Sequence, residues 1–469
     1  MTQSSPSQKI EFSLYNSLSR RKEALLPRES GKISLYVCGV TPYDALHIGH
    51  ARAFIVYDVL RRALEASGLQ VFHVQNVTDI DDKIINRARE LNISADELAR
   101  EYSDQTLEDL LALNVLPAHN YPRVTENIDP IIEMVSTLEA KGYAYSRGGD
   151  VYFDVSKDED YGKLSGQKIE ELEAGARIEP GEHKDDPLDF ALWKAAKPGE
   201  PSWESPWGEG RPGWHIECSA MALRLLGPGF DIHGGARELM FPHHENEVAQ
   251  SECYLDHQTF ANVWWHCGVV QVDGKKMSKS LGNFLTVRDA LALAEPNVWR
   301  LLFLMTHPRS PLDYSSEKMA QTKATWARLH ASLSTLPERT NAQAVSVDAT
   351  KFRARFDTAL ADDLNTPIAL AVAFDALAQW RREGVNDLTL AQEIRTAFEA
   401  LGFLFVRSTS QLENDALAPQ LIELMIVVRN EARERRDFRT SDTIRDELLK
   451  LGVVLEDAPD GTRWKLSQP

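Results

Sequence analysis

Two short runs gather residues that handle phosphate. His47-Ile48-Gly49-His50 falls where a strand gives way to a helix. Histidines three residues apart at a helix start point the same way, and Gly49 lets a ligand come close to the backbone. The helix N-terminus adds free N–H groups and a partial positive charge. The same pattern also suits two surface histidines. Lys276-Met277-Ser278-Lys279-Ser280, after Gly274-Lys275 and before Gly282-Asn283, puts two lysines in a small polar loop. Ammonium groups on flexible stems suit a clamp for polyphosphate, although so short a charged run also suits a solvated loop.

A second chemistry is spread along the chain. In Phe241-Pro242-His243-His244-Glu245-Asn246-Glu247, a helix starting at this point sets His243 and Glu247 on one face, at i and i+4. The four cysteines, Cys38, Cys218, Cys253 and Cys267, lie far apart, which argues against a disulfide framework. Cys38 sits on the first long strand, beside the HxGH turn. Cys218 lies within Gly213-Trp214-His215-Ile216-Glu217-Cys218-Ser219-Ala220-Met221. Two thiolates, one imidazole and one carboxylate make a tetrahedral shell of the kind zinc takes. Cys253 follows Glu247 by six residues, which rotates it off the ligand face of a helix. Cys267 ends a strand-like run without a partner at ligand spacing. Both read as structural thiols, Cys267 being the one that could still approach the site.

The elements that must hold these residues read as α/β. Ile33–Val40 is a β-rich run, and an apolar stripe from Ile55 to Leu64 marks a helix closed by Ser67-Gly68. A second strand spans Leu69–Val77, with a helix from about Asp79. Strand, helix, strand implies a doubly wound parallel sheet. A hairpin turns at Arg147-Gly148-Gly149-Asp150, and the Pro-, Gly- and Trp-rich stretch 197–213 reads as irregular structure around an insertion. After Ser315 the chain reads as helical, with amphipathic stretches at Ala320–Leu336 and Phe352–Trp380. The expected division is a Rossmann-type catalytic domain over 10–314 with an insertion at about 116–211, and a connecting helix region over 315–340. A helical bundle over 341–408 and a small C-terminal domain over 409–469 follow. The 43% apolar and 26% charged composition fits a globular chain, and the N-terminal residues lack a secretion-signal pattern, so a cytoplasmic protein is expected. A net charge of −18 argues against broad coating of nucleic acid but leaves room for one RNA held on local basic stripes.

In this order, flanking a parallel-sheet pattern, the two phosphate runs match the HIGH and KMSKS signatures of class I aminoacyl-tRNA synthetases. With the run Gly210–Met221, the FPHHENE segment and Asn76-Val77-Thr78-Asp79-Ile80-Asp81-Asp82-Lys83, the chain resembles the cysteinyl-tRNA synthetases, over nearly its whole length. The resemblance implies ATP with Mg²⁺ at the carboxyl ends of the strands and attack of the cysteine carboxylate on the α-phosphate. It also implies transfer of cysteine to tRNA-Cys by a monomeric enzyme. His47, Gly49 and His50 would meet the phosphate and ribose region, and Lys276 and Lys279 the phosphates, Lys279 stabilising the transition state. One zinc ion would be held by Cys38, Cys218, His243 and Glu247, with Thr78 and Trp214 contacting the rest of the amino acid.

Cysteine and serine are near-isosteres, which a pocket separates poorly, whereas a thiol ionises on zinc far more readily than an alcohol. Such discrimination would leave a hydrolytic editing domain unnecessary. Two stretches depart from the family pattern: Gly234-Gly235-Ala236-Arg237-Glu238 and Thr306-His307-Pro308-Arg309-Ser310. The C-terminal domain would read the anticodon. Its arginines, Arg429, Arg433, Arg435, Arg436, Arg439 and Arg445, and Trp464 could meet unstacked bases, but the arginines also suit i,i+4 pairs with Glu431, Glu434 and Asp437. A cysteine ligase acting on an amino sugar would share the zinc and phosphate motifs, but has no need of an anticodon reader after about residue 340.

Overall fold

A computed structural model describes residues 11–167, 183–277, 283–337, 345–382, 387–405, 417–458 and 461–466. The chain divides into two units, Met1–Leu404 and Phe405–Pro469.

The first unit opens with a hairpin, β1 (Ser13–Asn16) and β2 (Arg21–Ala24), followed by β3 (Lys32–Val40), helix α1 (Ile48–Ala66) and β4 (Gln70–Val77). Strands β3 and β4 pair in parallel, as the intervening helix requires. Much later in the chain β9 (Phe230–Ala236) pairs with the other side of β3, and β10 (Ala261–Cys267) pairs with β9, giving the order β10-β9-β3-β4. The chain therefore leaves β3 in one direction and returns on its other side. The carboxyl ends of β3 and β9 form a topological switch point, where open α/β sheets bind ligands.

Tyr57 packs α1 directly on this sheet. Its hydroxyl donates to Gly235 O (2.9 Å) or Trp265 O (2.6 Å) and accepts from Gly235 N (2.5 Å). A Cβ on Gly234 would collide with the Tyr57 ring, so the strand must be bare there.

The insertion is more regular than its composition suggests. Strands β5 (Ala144–Arg147), β6 (Asp150–Phe153), β7 (Phe190–Ala195) and β8 (Gly210–Pro212) form an antiparallel sheet in that order. The β5–β6 turn is where the sequence placed it, with Gly148 and Gly149 at φ 61° and 93°. The expectation of irregular structure over 197–213 fails at Gly210–Pro212. Pro212 can occupy this strand because β8 is the sheet edge. From there the chain enters the helix Trp214–Leu226 at once, bringing Cys218 beneath the parallel sheet.

The stretch Phe352–Trp380 is two helices, Val347–Ala361 and Thr366–Arg382, and not one. The break is marked locally by Asn365, whose Oδ1 accepts from Ile368 N (3.3 Å), and by Pro367 in the first turn of the second helix, and it is anchored by tertiary contacts. Asp363, at φ 57°, turns its buried carboxylate to accept from Tyr15 N (2.9 Å), Trp265 Nε1 (3.0 Å) and Arg309. Those three donors come from other parts of the unit, beyond the reach of a local periodicity.

A second buried carboxylate anchors α1. Asp58 accepts from Arg300 Nη1 (2.8 Å), Arg62 Nε (3.0 Å) and Leu116 N (2.9 Å), with its side chain fully shielded. Asp58→Ala would leave the buried Arg300 guanidinium uncompensated. It is expected to cost about 3–5 kcal/mol of unfolding free energy, read by chemical denaturation.

His73 on β4 gives a pH-dependent prediction. Burial, Arg61 and His119 lower its pKa from 6.5 to about 3. Below pH 6.5 the unfolded chain takes up a proton that the folded chain refuses, so stability is lost as pH falls toward 3. At pH 5 this one imidazole costs about 2 kcal/mol. His73→Leu is therefore expected to shrink the stability difference between pH 7.5 and pH 5 by that amount.

The second unit contains the helices Leu417–Glu434 and Phe438–Lys450 and a hairpin of Val453–Ala458 with Gly461–Leu466. For Arg429 and Arg433 the i,i+4 alternative gives way to a tertiary pairing. Arg429 is buried and grips Asp457 with both Nη atoms at 2.8 Å, and Arg433 adds a third contact at 2.8 Å. Trp464 donates to Glu423 Oε1 (3.0 Å). No helix of the described residues is long and apolar enough to cross a membrane.

Candidate metal centre and active site

Cys38 lies near the carboxyl end of β3, at the switch point. Around its Sγ are Cys218 Sγ at 3.9 Å, His243 Nε2 at 3.6 Å and Glu247 Oε1 at 3.6 Å, although Cys38 and Glu247 stand 209 residues apart in sequence. A tetrahedral zinc site with ordinary Zn–S and Zn–N bonds has ligand–ligand edges of about 3.3–3.8 Å. The sulfur-to-donor distances match those edges. His243 Nε2 and Glu247 Oε1 are closer, at 2.9 Å, because they are joined as an ion pair. The residues fit the metal.

The charges are compatible with it. All four side chains are buried. A hydrogen bond from Cys38 lowers the Cys218 thiol to about 6 against its burial. Burial pushes the Cys38 thiol up, as do its contacts with Cys218 and Glu247. Burial works against the His243 imidazolium, but Glu247 and Cys218 hold it up at about 10. Burial likewise works against the Glu247 carboxylate, which His233 and His243 hold down at about 2.

The sequence reading missed the layer of imidazoles behind these four. His215 Nδ1 lies 3.0 Å from His243 Nδ1, and His233 Nε2 lies 2.9 Å from Glu247 Oε2. His244 contacts Cys38 Sγ at 3.3 Å and His266 Nε2 at 2.8 Å, and His266 in turn meets Ser17 Oγ at 2.8 Å. Partners on the far ring nitrogens fix the tautomer and orientation of metal-binding histidines. His244 also belongs to a donor group with Cys38, His243 and Glu247 whose atoms all lie within 4.8 Å. His244 bridges Cys38 and His266 through its two ring nitrogens, and Cys218, with Sγ 3.9 Å from that of Cys38, lies beside this group. The His243-His244 doublet was the available signal, but one sequence position cannot say which imidazole faces inward.

Helix Glu245–Tyr254 begins two residues later than the i,i+4 reading assumed, yet His243 and Glu247 still meet. Trp214 stacks on His243 with centroids 4.3 Å apart and keeps 37% exposure, so it can face a ligand. Thr78 Oγ1 accepts from Asn76 Nδ2 (3.2 Å) and donates to the buried Glu217 (3.1 Å). Cys253 packs in the apolar cluster around Ile131 and Trp193. Cys267 lies near Arg52. Burial pushes both of these thiols up to about 12, and neither joins the metal-capable group among the described residues.

The HIGH turn brings one correction. Its helix start does not offer free N–H groups. Gly49 N (3.1 Å) and His50 N (3.3 Å) donate to His47 Nδ1, Ile48 N donates to Leu285 O (3.1 Å), and Ala51 N to His47 O (3.0 Å). The His47 imidazole is itself the helix cap, kept neutral by burial at about 4. His50 stacks on it with ring centroids 3.6 Å apart. Any attraction for an anion at this turn would thus rest on the helix dipole and the outer ring atoms.

The described ends of the lysine loop are adjacent. A Cβ on Gly49 would stand 3.3 Å from Met277 Cε, and Leu285 and Thr286 bridge to Ile48 and His47. Lys276 lies on a two-residue strand, Lys275–Lys276, paired with Val270–Val272. Lys279 lies outside the described residues.

A family model described as the tRNA synthetases class I (C) catalytic domain matches residues 24–324, and one described as a DALR domain matches 355–406. The solved methionyl-tRNA synthetase of Mycobacterium tuberculosis, in complex with methionyl-adenylate, has a similar fold. Its TM-score is 0.56 at 14% identity, covering 79% of this chain and 89% of that one. Fold and motifs together define a class I aminoacyl-tRNA synthetase. The curated cysteine--tRNA ligase of Azotobacter vinelandii is 48% identical over 467 residues, 97% of this chain and 100% of that protein. That of Thermococcus onnurineus is 48% identical over 471 residues, 96% of this chain and 98% of that protein. The chain belongs to the cysteine--tRNA ligase family.

Proposed function

We propose that this protein is a cysteine--tRNA ligase that activates L-cysteine with ATP and Mg²⁺, releases pyrophosphate, and transfers the cysteinyl group to the 3′ end of tRNA-Cys. The observation that carries the reading is the meeting of Cys38, Cys218, His243 and Glu247 beside the HIGH turn, at the switch point of the parallel sheet. Zinc held by these four would supply a soft Lewis acid that favours a thiol over the hydroxyl of serine.

The protein's own groups do the positioning. Trp214 and Thr78 flank the amino-acid site. The substrate carboxylate is ionised at neutral pH and needs no general base. Activation brings two anions together and builds charge on the phosphoryl oxygens. His47 and His50 orient the nucleotide, and Lys276 and Lys279 offset that charge.

Exposed Phe438, flanked by exposed Arg435, Arg436 and Arg439, gives the acidic chain a local basic and aromatic surface of the kind single-stranded RNA stacks on. An amino-sugar ligase would leave this surface without a role. A cytoplasmic monomer completes the reading.

The test is cysteine-dependent ATP–pyrophosphate exchange followed by charging of purified tRNAs. Both activities are expected. Exchange without charging of tRNA-Cys would overturn the reading.

A further inference from the structure

The two stretches that depart from the family pattern meet in space. Arg237 follows the last residue of β9, Arg309 lies in the 306–310 loop, and both line one cavity of about 170 Å³ with Arg20 from the β1–β2 turn. Tyr15, Ser17, Ser165 and His266 complete the polar part of its wall. Arg309 is held flat, 4.2 Å over the Tyr15 ring, and its charge is answered by Asp363. Arg20 packs against Gly166, where any Cβ would collide with the guanidinium. Arg20 and Arg237 are exposed, and neither forms an ion pair among the described residues. Among the described residues, two guanidiniums thus face the cavity without a carboxylate, beside a third whose orientation is fixed. Planar forks of this kind select phosphate oxygens.

The position indicates which phosphate. His266 ends its run toward the active centre through His244 to Cys38, so the cavity lies just outside the ligand end of the sheet. It lies along the outer strand β10, whereas the HIGH turn follows β3, two strands further in. A single RNA strand reaching the activated amino acid brings its backbone phosphates across the rim of that site.

We propose that Arg20, Arg237 and Arg309 form a phosphate subsite that positions the single-stranded 3′ end of the tRNA for transfer. The proposal rests on the ligase reading above. Its test uses the full-length protein with Arg237→Ala, Arg20→Ala and Arg237→Lys, measuring steady-state tRNA charging and cysteine-dependent pyrophosphate exchange side by side. Each alanine variant is expected to raise KM for tRNA about 3- to 10-fold and to flatten its salt dependence by about one unit of log–log slope. Exchange should stay within about twofold of wild type, because that half-reaction proceeds without RNA. Arg237→Lys should recover most of the loss. A raised KM for ATP or pyrophosphate with tRNA kinetics unchanged would assign the cavity to free polyphosphate and overturn the proposal. Wild-type values in both assays would also overturn it. If the wild-type chain charges no tRNA, the ligase reading itself fails, a different result from either.

Discussion

Cys218→Ser is expected to reduce bound zinc from one ion per chain to well under half after gel filtration, measured by elemental analysis. It should also lower kcat/KM for cysteine in pyrophosphate exchange by about 100-fold or more. A serine hydroxyl does not ionise readily on the metal, so only three of the four proposed ligands would remain. Loss of a partner one layer further out already costs 10- to 100-fold in affinity or activity in sites of this kind, so loss of a direct ligand sets that range as a floor. The ratio of kcat/KM for cysteine over serine should narrow in the same variant, because shape alone separates the two poorly. Cys253→Ser supplies the contrast. That thiol packs among apolar residues, so the variant should lose stability and keep its zinc. Active wild-type protein without zinc would refute the ligand assignment and the specificity argument together.

Lys279→Ala is expected to lower kcat for cysteine-dependent exchange by about 100- to 1,000-fold, with KM for cysteine within about threefold of wild type and zinc content unchanged. The expectation draws on both ends of the loop. Met277 enters against Gly49, and Leu285–Thr286 leave in contact with Ile48 and His47, so the residues between start and finish at the HIGH turn. A lysine on so short a segment can reach charge that develops there. At the helix start the N–H groups expected to face phosphate are occupied by the His47 cap, which leaves more of that charge for the lysine to offset. If the variant instead raised KM for ATP and kept kcat, Lys279 would serve ground-state binding and the transition-state role would be lost.

The parallel βαβ unit and its helix were legible because their signals are local. The apolar run of Ile33–Val40, the stripe through Ile55, Val59 and Leu60, and the Ser67-Gly68 stop each lie within one element. The hairpin at Gly148-Gly149 was legible for the same reason: only those residues take that turn cheaply. The anchoring of Asp363 at the helix break was not, since its carboxylate is claimed by Tyr15, Trp265 and Arg309 from three other segments. Nor were the role of His47 as its own helix's cap and the capture of Arg429 by Asp457, both tertiary outcomes of residues with several options.

The sequence by itself determined the inventory: two phosphate-handling runs, thiolate, imidazole and carboxylate donors in a soft-metal combination, and an α/β frame with helices after it. Those follow from residue type and short spacing, which a chain carries before it folds. The tertiary structure decided adjacency. It brought Cys38 within 4 Å of residues 180 and 209 positions away, gathered His243 and His244 with Cys38 and Glu247, and set Met277 and Leu285–Thr286 against the HIGH turn. It also joined two divergent loops around one cavity. The reason is physical: which distant side chains meet is fixed by sheet order and packing, and these depend on the whole core rather than on any window of sequence.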